Sequence, residues 1–98
     1  MTSDKRAQFP SDTPSVTVRV RFFASARAAA GSESDELLLP PGSCVADAVQ
    51  LLRERHSEEL DRILTAASLL LNGVAVRDLS TTLPTAPELD VLPPFAGG

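Results

Sequence analysis

The sequence predicts an α+β fold in which a mixed β-sheet packs against one main helix. Three observations predict it: alternating side chains in residues 16–23, a single apolar helix face in residues 43–56, and a hairpin turn at Asn72-Gly73 that precedes a last short strand. The chain has 98 residues, of which 43% are hydrophobic, so its size and composition are those of one small globular domain.

The first strand is predicted because apolar and polar side chains alternate from Val16 onward. The alternation turns Phe22 inward with the valines and leaves Phe23 facing outward, where either a loop or a partner would cover it. A short helical segment in residues 24–30, closed by Gly31, leads to a second predicted strand in residues 35–39.

The main helix is predicted to begin near Ser43 or Cys44 and to end near His56. Its apolar positions follow helical spacing and are Val45, Ala48, Val49 and Leu52.

Cys44 occupies the position where a capping box normally has Ser or Thr, so Ser43 is a candidate N-cap. We interpret Cys44 as a buried structural residue and His56 as a favourable charge at the helix end, because the chain has no second cysteine or histidine to share a metal. A solvated surface is expected for Glu54, Glu58, Glu59 and Asp61.

The second half of the chain predicts a hairpin and a final strand. Residues 68–71 and 74–76 flank Asn72-Gly73, which is a strong hairpin signal. Residues 79–85 are expected to form a loop with one helical turn, held inside by Leu83, before a last strand in residues 89–92. If the first and last strands are parallel neighbours, the two layers close around the helix. That arrangement is the β-grasp, or ubiquitin-like, architecture.

Composition and charge exclude several classes of function. The net charge is −4 and the nine basic residues are dispersed, which argues against nucleic-acid binding and suits a basic partner. A single cysteine excludes an internal disulfide, and no apolar run approaches membrane-spanning length, so we expect a cytoplasmic protein. Residues 1–15 lack the apolar segment of a signal peptide and are expected to be a disordered extension, which leaves residues 16–92 as the folded domain.

The most informative segment is the ending, residues 93–98, which we expect to be a flexible tail. Pro93 and Pro94 cannot donate to a sheet, so the last strand should stop at Leu92 and the tail should project from the body. Gly97 and Gly98 have no side chains, so a narrow channel could bring a catalyst to the terminal carboxylate. That carboxylate is a poor electrophile until ATP-driven adenylation gives it a leaving group. The alternative interpretation is an ordinary frayed end.

These features resemble the sulfur-carrier proteins of the MoaD/ThiS family, over residues 16–98. The residues that carry the resemblance are Val20-Arg21-Phe22-Phe23-Ala24, Ala26-Arg27, Gly31, Gly42-Ser43, Val45-Ala46-Asp47, Leu71-Asn72-Gly73 and Leu92-Pro93-Pro94-Phe95-Ala96-Gly97-Gly98. The Phe-Phe-Ala segment and the Pro-Pro-x-x-Gly-Gly ending are more similar to the molybdopterin branch than to the thiamine branch.

The resemblance implies a sulfur-donating role for the tail. Gly98 would be adenylated by an E1-like activating enzyme that uses ATP and Mg²⁺, and then converted to a thiocarboxylate. The chain would bind no cofactor stably and would not be catalytic alone, but would act as the small subunit of molybdopterin synthase, supplying sulfur for the dithiolene of the molybdenum cofactor. The residues implied to contact the large subunit and the activating enzyme are Phe23, Leu92, Pro93, Pro94, Phe95, Ala96 and Gly97.

Three differences from the family pattern accompany the resemblance. The leader is extra, Cys44 replaces Thr or Ser at the helix start, and Thr85-Ala86-Pro87-Glu88-Leu89 replaces Asp-Gly-Asp-Glu-Val, which removes a tight glycine turn. Two alternatives remain open: a carrier for another pathway or a ubiquitin-like modifier of lysines, and a β-grasp interaction module whose tail is never activated. Lys5 is the only lysine, so modifier chains linked through the folded body cannot form.

Overall fold

A computed structural model describes residues 15–94 of the chain. Within that range the elements are β1 Val16–Phe22, α1 Ser25–Ala30, β2 Ser34–Leu39, α2 Val45–Arg55, α3 Glu58–Ala66, β3 Ser68–Leu71, β4 Val74–Ala75 and β5 Glu88–Leu92. The predictions for residues 1–14 and for Phe95, Ala96, Gly97 and Gly98 lie outside the described residues.

The strands form one mixed sheet in the order β2-β1-β5-β3-β4. The first and last strands, β1 and β5, are parallel neighbours as predicted, and the other pairs are antiparallel. The hairpin between β3 and β4 turns through Asn72 and Gly73, whose φ angles are 50° and 84°, as its two-residue turn requires. The helices cover one face of the sheet, which gives the β-grasp architecture.

The core lies between the sheet and the helices. From β1 it takes Val18, Val20 and Phe22, and from α2 it takes the predicted face of Val45, Ala48, Val49 and Leu52, all of them buried. Burial of each larger apolar side chain contributes about 1.5–3 kcal/mol, so the alternation in β1 and the helical spacing in α2 determine which faces meet.

The prediction of one main helix omitted α3. Ser57 caps this helix by accepting a hydrogen bond from the Leu60 N–H at 3.4 Å, and Leu60 and Leu64 are buried. Its first turn contains acidic residues, which the helix dipole favours at that end. Glu58 and Glu59 are exposed as expected, whereas Asp61 pairs with Arg53 of α2.

The start of α2 is held by the loop in residues 78–83. The Val45 N–H donates to Thr81 O at 3.0 Å and the Ala46 N–H donates to Leu79 O at 2.9 Å, so loop carbonyls satisfy two of the free helix N–H groups. Leu83 is buried as predicted, but within this loop a turn from Asp78 and an isolated bridge replace the expected helical turn.

The N-cap of α2 is Cys44, so the candidate Ser43 was wrong. The Asp47 carboxylate accepts hydrogen bonds from the Cys44 N–H at 2.9 Å and from the Cys44 thiol at 3.4 Å. Ser43 instead donates its hydroxyl to Pro40 O at 2.7 Å. Cys44 is half-buried, in contact with its own helix, and less enclosed than expected.

Two alanines adopt backbone conformations that favour glycine. Ala24, at the turn after β1, has φ 52° and ψ −126°, and Ala86, before β5, has φ 52°. Ala86 stands where the family pattern has glycine, so the turn is retained with alanine in the positive-φ region. Pro87, which follows, is fully buried and accepts a hydrogen bond from the Arg19 N–H at 3.0 Å.

We expect Ala24→Gly to raise the free energy of unfolding by about 1 kcal/mol, because relief of backbone strain exceeds the added flexibility of the unfolded chain. Chemical denaturation measures the change. The matched control is Ala28→Gly inside α1, which should lower the free energy of unfolding by roughly 0.5–1 kcal/mol. Destabilisation by both variants would show that Ala24 is not strained.

At the outer edge of the sheet, two side chains form hydrogen bonds with the backbone of Glu36 in β2. The Phe22 N–H donates to Glu33 O at 2.9 Å, which fixes the pairing so that the backbone groups of Glu36 point away from β1. Asp35 Oδ1 accepts the Glu36 N–H at 2.8 Å, and Arg55 Nη1 donates to Glu36 O at 2.9 Å. Side chains therefore occupy two of the backbone groups that a further strand would need.

We expect Asp35→Ala/Arg55→Ala to promote self-association through β2, because both backbone groups of Glu36 become free to pair. Light scattering over a concentration series should show a rise in mean mass that the wild type lacks. The control Glu59→Ala/Arg62→Ala removes the same charges from α3 and should behave like the wild type. A double variant that matches its control would contradict the proposed role of the two side chains.

Candidate functional site

The predicted contact residues Phe23 and Leu92 lie side by side at one end of the sheet. β1 and β5 are parallel, so their C-terminal ends reach the same edge, and the register pairs Phe22 with Val91. The Phe23 N–H donates to Val91 O at 3.2 Å, which extends the pairing by one residue. The site is therefore assembled by the parallel pairing of two strands that are far apart in sequence.

Exposure at this end of the sheet agrees with the prediction for Phe23 and shifts the start of the tail. Phe23 is 37% exposed, and Leu92 is half-buried. Pro93 is buried and Pro94 is exposed, so the chain leaves the body after Pro93 and not before it. β5 ends at Leu92 as predicted, because proline has no N–H to continue the ladder.

An ion pair that sequence reasoning missed lies beside these residues. Arg21 Nε is 2.8 Å from Asp90 Oδ1 and Arg21 Nη2 is 3.1 Å from Asp90 Oδ2, which is a two-pronged contact between β1 and β5. The Arg21 guanidinium also lies 5.5 Å from the centroid of the Phe23 ring. We call Arg21, Phe23, Asp90 and Leu92 the tail-root face.

The electrostatics of the tail-root face are dominated by Asp90. Asp90 is 7% exposed, although it points to the side of the sheet that the helices leave open. Its hydrogen bond and charge raise the pKa of Arg21 above the ordinary value, with a smaller contribution from Glu88 at 3.8 Å. The guanidinium is therefore charged at every physiological pH. The sequence pattern gives no signal that Arg21 and Asp90 are partners. They become opposite neighbours only in the register of the parallel strands.

Cys44 and His56 have local structural partners. His56 ends α2, and its Nε2 lies 3.0 Å from Asp35 Oδ2, while its ring meets the Phe22 ring edge-on at 5.5 Å. Between residues 15 and 94, no group of three or more His, Cys, Asp or Glu side chains could hold a metal ion. No helix in the same range is long and apolar enough to cross a bilayer.

An open groove lies at the opposite end of the sheet from Phe23 and Leu92. This open groove of about 800 Å³ lies at the starts of β1 and β5, and charged residues in its lining are Arg19, Glu36 and Glu88. The groove is not lined by Phe23, Leu92, Pro93 or Pro94, which are the predicted contact residues within the described part of the chain. The tail-root face is an exposed contact surface next to the point where the chain leaves the body.

A family model identifies the class to which this fold and site belong. The model of the ThiS family matches residues 20–98, which include all four residues of the tail-root face and the Gly-Gly ending. The chain belongs to the ThiS family. No curated protein sequence matched the chain.

Solved structures of similar fold include two kinds of ubiquitin-like protein. A Pyrococcus furiosus protein provisionally assigned as molybdopterin converting factor, subunit 1, is 28% identical, with a TM-score of 0.71 over 82% of this chain and 99% of that chain. Small archaeal modifier protein 1 of Methanosarcina acetivorans is 26% identical, with a TM-score of 0.73 over 87% and 99%.

A third similar structure is a complex. It contains subunits 1 and 2 of the molybdopterin-converting factor of Helicobacter pylori, and the matching chain is 25% identical, with a TM-score of 0.63 over 85% of this chain and 100% of that chain. Together these structures confirm the β-grasp fold and the resemblance to sulfur carriers. They do not separate a carrier from a protein modifier.

Proposed function

We propose that this chain is the sulfur carrier of a molybdopterin synthase and that Gly98 is the reacting residue. A carboxylate oxygen of Gly98 would attack the α-phosphorus of ATP, releasing pyrophosphate and leaving an acyl adenylate. Sulfide would then attack the carbonyl carbon and displace AMP, leaving a thiocarboxylate. The observation that carries the proposal is the family match, which runs through the Gly-Gly ending and the strands beside it.

The geometry of the body supports delivery of the tail to another protein. β5 lies in the interior of the sheet and ends at Leu92, and the buried Pro93 fixes the direction in which the chain leaves. Five residues from Pro94 to Gly98 can span at most about 17 Å when extended. That length suits an active site recessed in a partner, where ATP and Mg²⁺ would be held by the activating enzyme and not by this chain.

We propose two partners that use the tail in turn. An E1-like adenylating enzyme would charge Gly98, and the large synthase subunit would accept the sulfur for the dithiolene of molybdopterin. The complex of subunits 1 and 2 from Helicobacter pylori supports a large-subunit partner for a chain of this fold. The charging step consumes ATP, and a thiocarboxylate is best preserved in a reducing compartment, so the cytoplasm is the proposed location.

A second candidate function is protein modification, which the likeness to small archaeal modifier protein 1 favours. The activated Gly98 would then form an isopeptide bond with a lysine of a target. The two functions share the adenylate and differ in the acceptor. Incubation of the charged protein with a cell extract would separate them, because a modifier forms covalent conjugates of higher mass, whereas a carrier is returned with a free carboxylate.

We expect deletion of Gly98, or addition of one residue after it, to abolish sulfur transfer while leaving the melting temperature nearly unchanged. The reason is that the change removes the reacting group and leaves every residue of the described core in place. Sulfur transfer to the precursor and thermal unfolding measure the two effects. A large loss of melting temperature would show that the ending packs against the body, and retained transfer would overturn the role of Gly98.

We expect Phe23→Ala to weaken binding to the large subunit by roughly thirtyfold. This corresponds to a loss of about 2 kcal/mol of binding free energy, which is typical when an exposed aromatic anchor is truncated to alanine. Calorimetric titration measures it. The control is Leu38→Ala, because Leu38 is 66% exposed on the same open face but lies at the far end of β2. Equal losses from the two variants would show that the tail-root face is not the contact surface. A Phe23→Ala variant that unfolds but still binds when folded would show that Phe23 is part of the core.

A further inference from the structure

We propose that Arg21 and Asp90 are positioning residues, which hold Phe23 and the end of β5 as one preformed docking surface for the large subunit. This inference rests on the proposed function. It assigns a role to two side chains for which the family resemblance and the tail chemistry implied none.

The first argument is the placement of the pair. Arg21 and Asp90 are opposite each other in the parallel register of β1 and β5. Phe23 follows Arg21 by two residues and Leu92 follows Asp90 by two residues, so the alternation of a strand puts all four side chains on one face. The two hydrogen bonds of 2.8 and 3.1 Å therefore join the strands immediately before the residues that would meet the partner.

The second argument is that the Arg21 side chain has little freedom to move away from Asp90. Asp90 is only 7% exposed, and an unpaired carboxylate at such a site carries a large desolvation penalty. The Asp90 carboxylate offers two oxygens and the planar guanidinium matches both, so the pair fixes the direction of the Arg21 side chain. Surface arginines are ordinarily mobile, and this one is held in place.

The third argument is the contact with Phe23. The guanidinium carbon lies 5.5 Å from the centroid of the Phe23 ring, within the range of a cation–π interaction. A fixed guanidinium therefore restricts the ring of an exposed side chain that would otherwise move among rotamers. Because the Phe23 side chain then loses less conformational entropy when the partner binds it, the pair should strengthen binding without itself touching the partner.

The partner that fits this surface is one with an apolar pocket for Phe23 next to a channel for the tail. The large subunit is such a partner under the proposed function, and the site is continuous with the point where the chain leaves the body at Pro94. The Arg21–Asp90 pair is internally neutral, so covering it during docking would not bury an uncompensated charge.

The test is a binding cycle with the large subunit as the probe. Arg21→Gln/Asp90→Asn removes both charges while keeping side chains of similar size, and we expect binding to weaken by about threefold to tenfold, the loss expected for one side chain that must be ordered on binding. In the Phe23→Ala background the same two substitutions should have no further effect. The control Arg19→Gln/Glu36→Gln removes a cross-strand pair of opposite charges one row farther from Phe23 on the same face and should bind like the wild type.

A second readout separates positioning from general stability. The χ1 couplings of Phe23, measured by NMR in the free protein, should indicate one rotamer in the wild type and averaging in Arg21→Gln/Asp90→Asn. Thermal unfolding of each variant verifies that the binding measurements use folded protein. If Arg21→Gln/Asp90→Asn fails to fold, Arg21→Lys, which keeps the charge but loses the planar fork, replaces it with the same expected direction.

Three outcomes would overturn the inference. Unchanged binding by the double variant, against a wild type that binds, would overturn this proposal alone. A loss that persists in the Phe23→Ala background would show that Arg21 or Asp90 contacts the partner directly. Failure of the wild type to bind the large subunit would overturn the proposed function and this proposal together.

Discussion

The parallel pairing of β1 with β5 is the constraint on which the rest of the structure depends. It joins the beginning of the folded domain to its end, and it places Phe23 next to Leu92 at the edge where the chain leaves the sheet. The same pairing brings Arg21 opposite Asp90. A sheet with its last strand at the edge would have placed the tail beside a mobile boundary instead of a packed centre.

The two faces of the sheet have different roles: one is buried in the core and the other is open to solvent. One face is buried against α2 and α3, and it supplies the stability of a chain that is too small for more than one core. The other face ends in an exposed aromatic ring with an ion pair beside it. At the outer edge, side chains of Asp35 and Arg55 bind the backbone of Glu36 in β2, whereas the exposed ring of Phe23 lies beside the point where the chain leaves the sheet.

Much of the fold could be predicted because local patterns and tertiary packing agree in β1, α2 and the Asn72-Gly73 turn. α3 was missed although Leu60, Ile63 and Leu64 follow helical spacing behind the N-cap Ser57, because the acidic residues around them were interpreted only as a solvated surface. The outward direction of Phe23 followed from alternation. The ion pair beside Phe23 could not be predicted in this way, because Arg21 and Asp90 are 69 positions apart and the sequence pattern does not determine the register that brings them together.

The central claim is that Gly98 is converted to a thiocarboxylate, and intact-mass spectrometry tests it most directly. The protein would be incubated with an E1-like activating enzyme, ATP, Mg²⁺ and a sulfide source, and then fragmented to locate any change. The account predicts a mass gain equal to replacing one oxygen atom by sulfur, confined to the C-terminal fragment that contains Gly98. An unchanged mass with an active enzyme, or a sulfur atom located elsewhere in the chain, would contradict it.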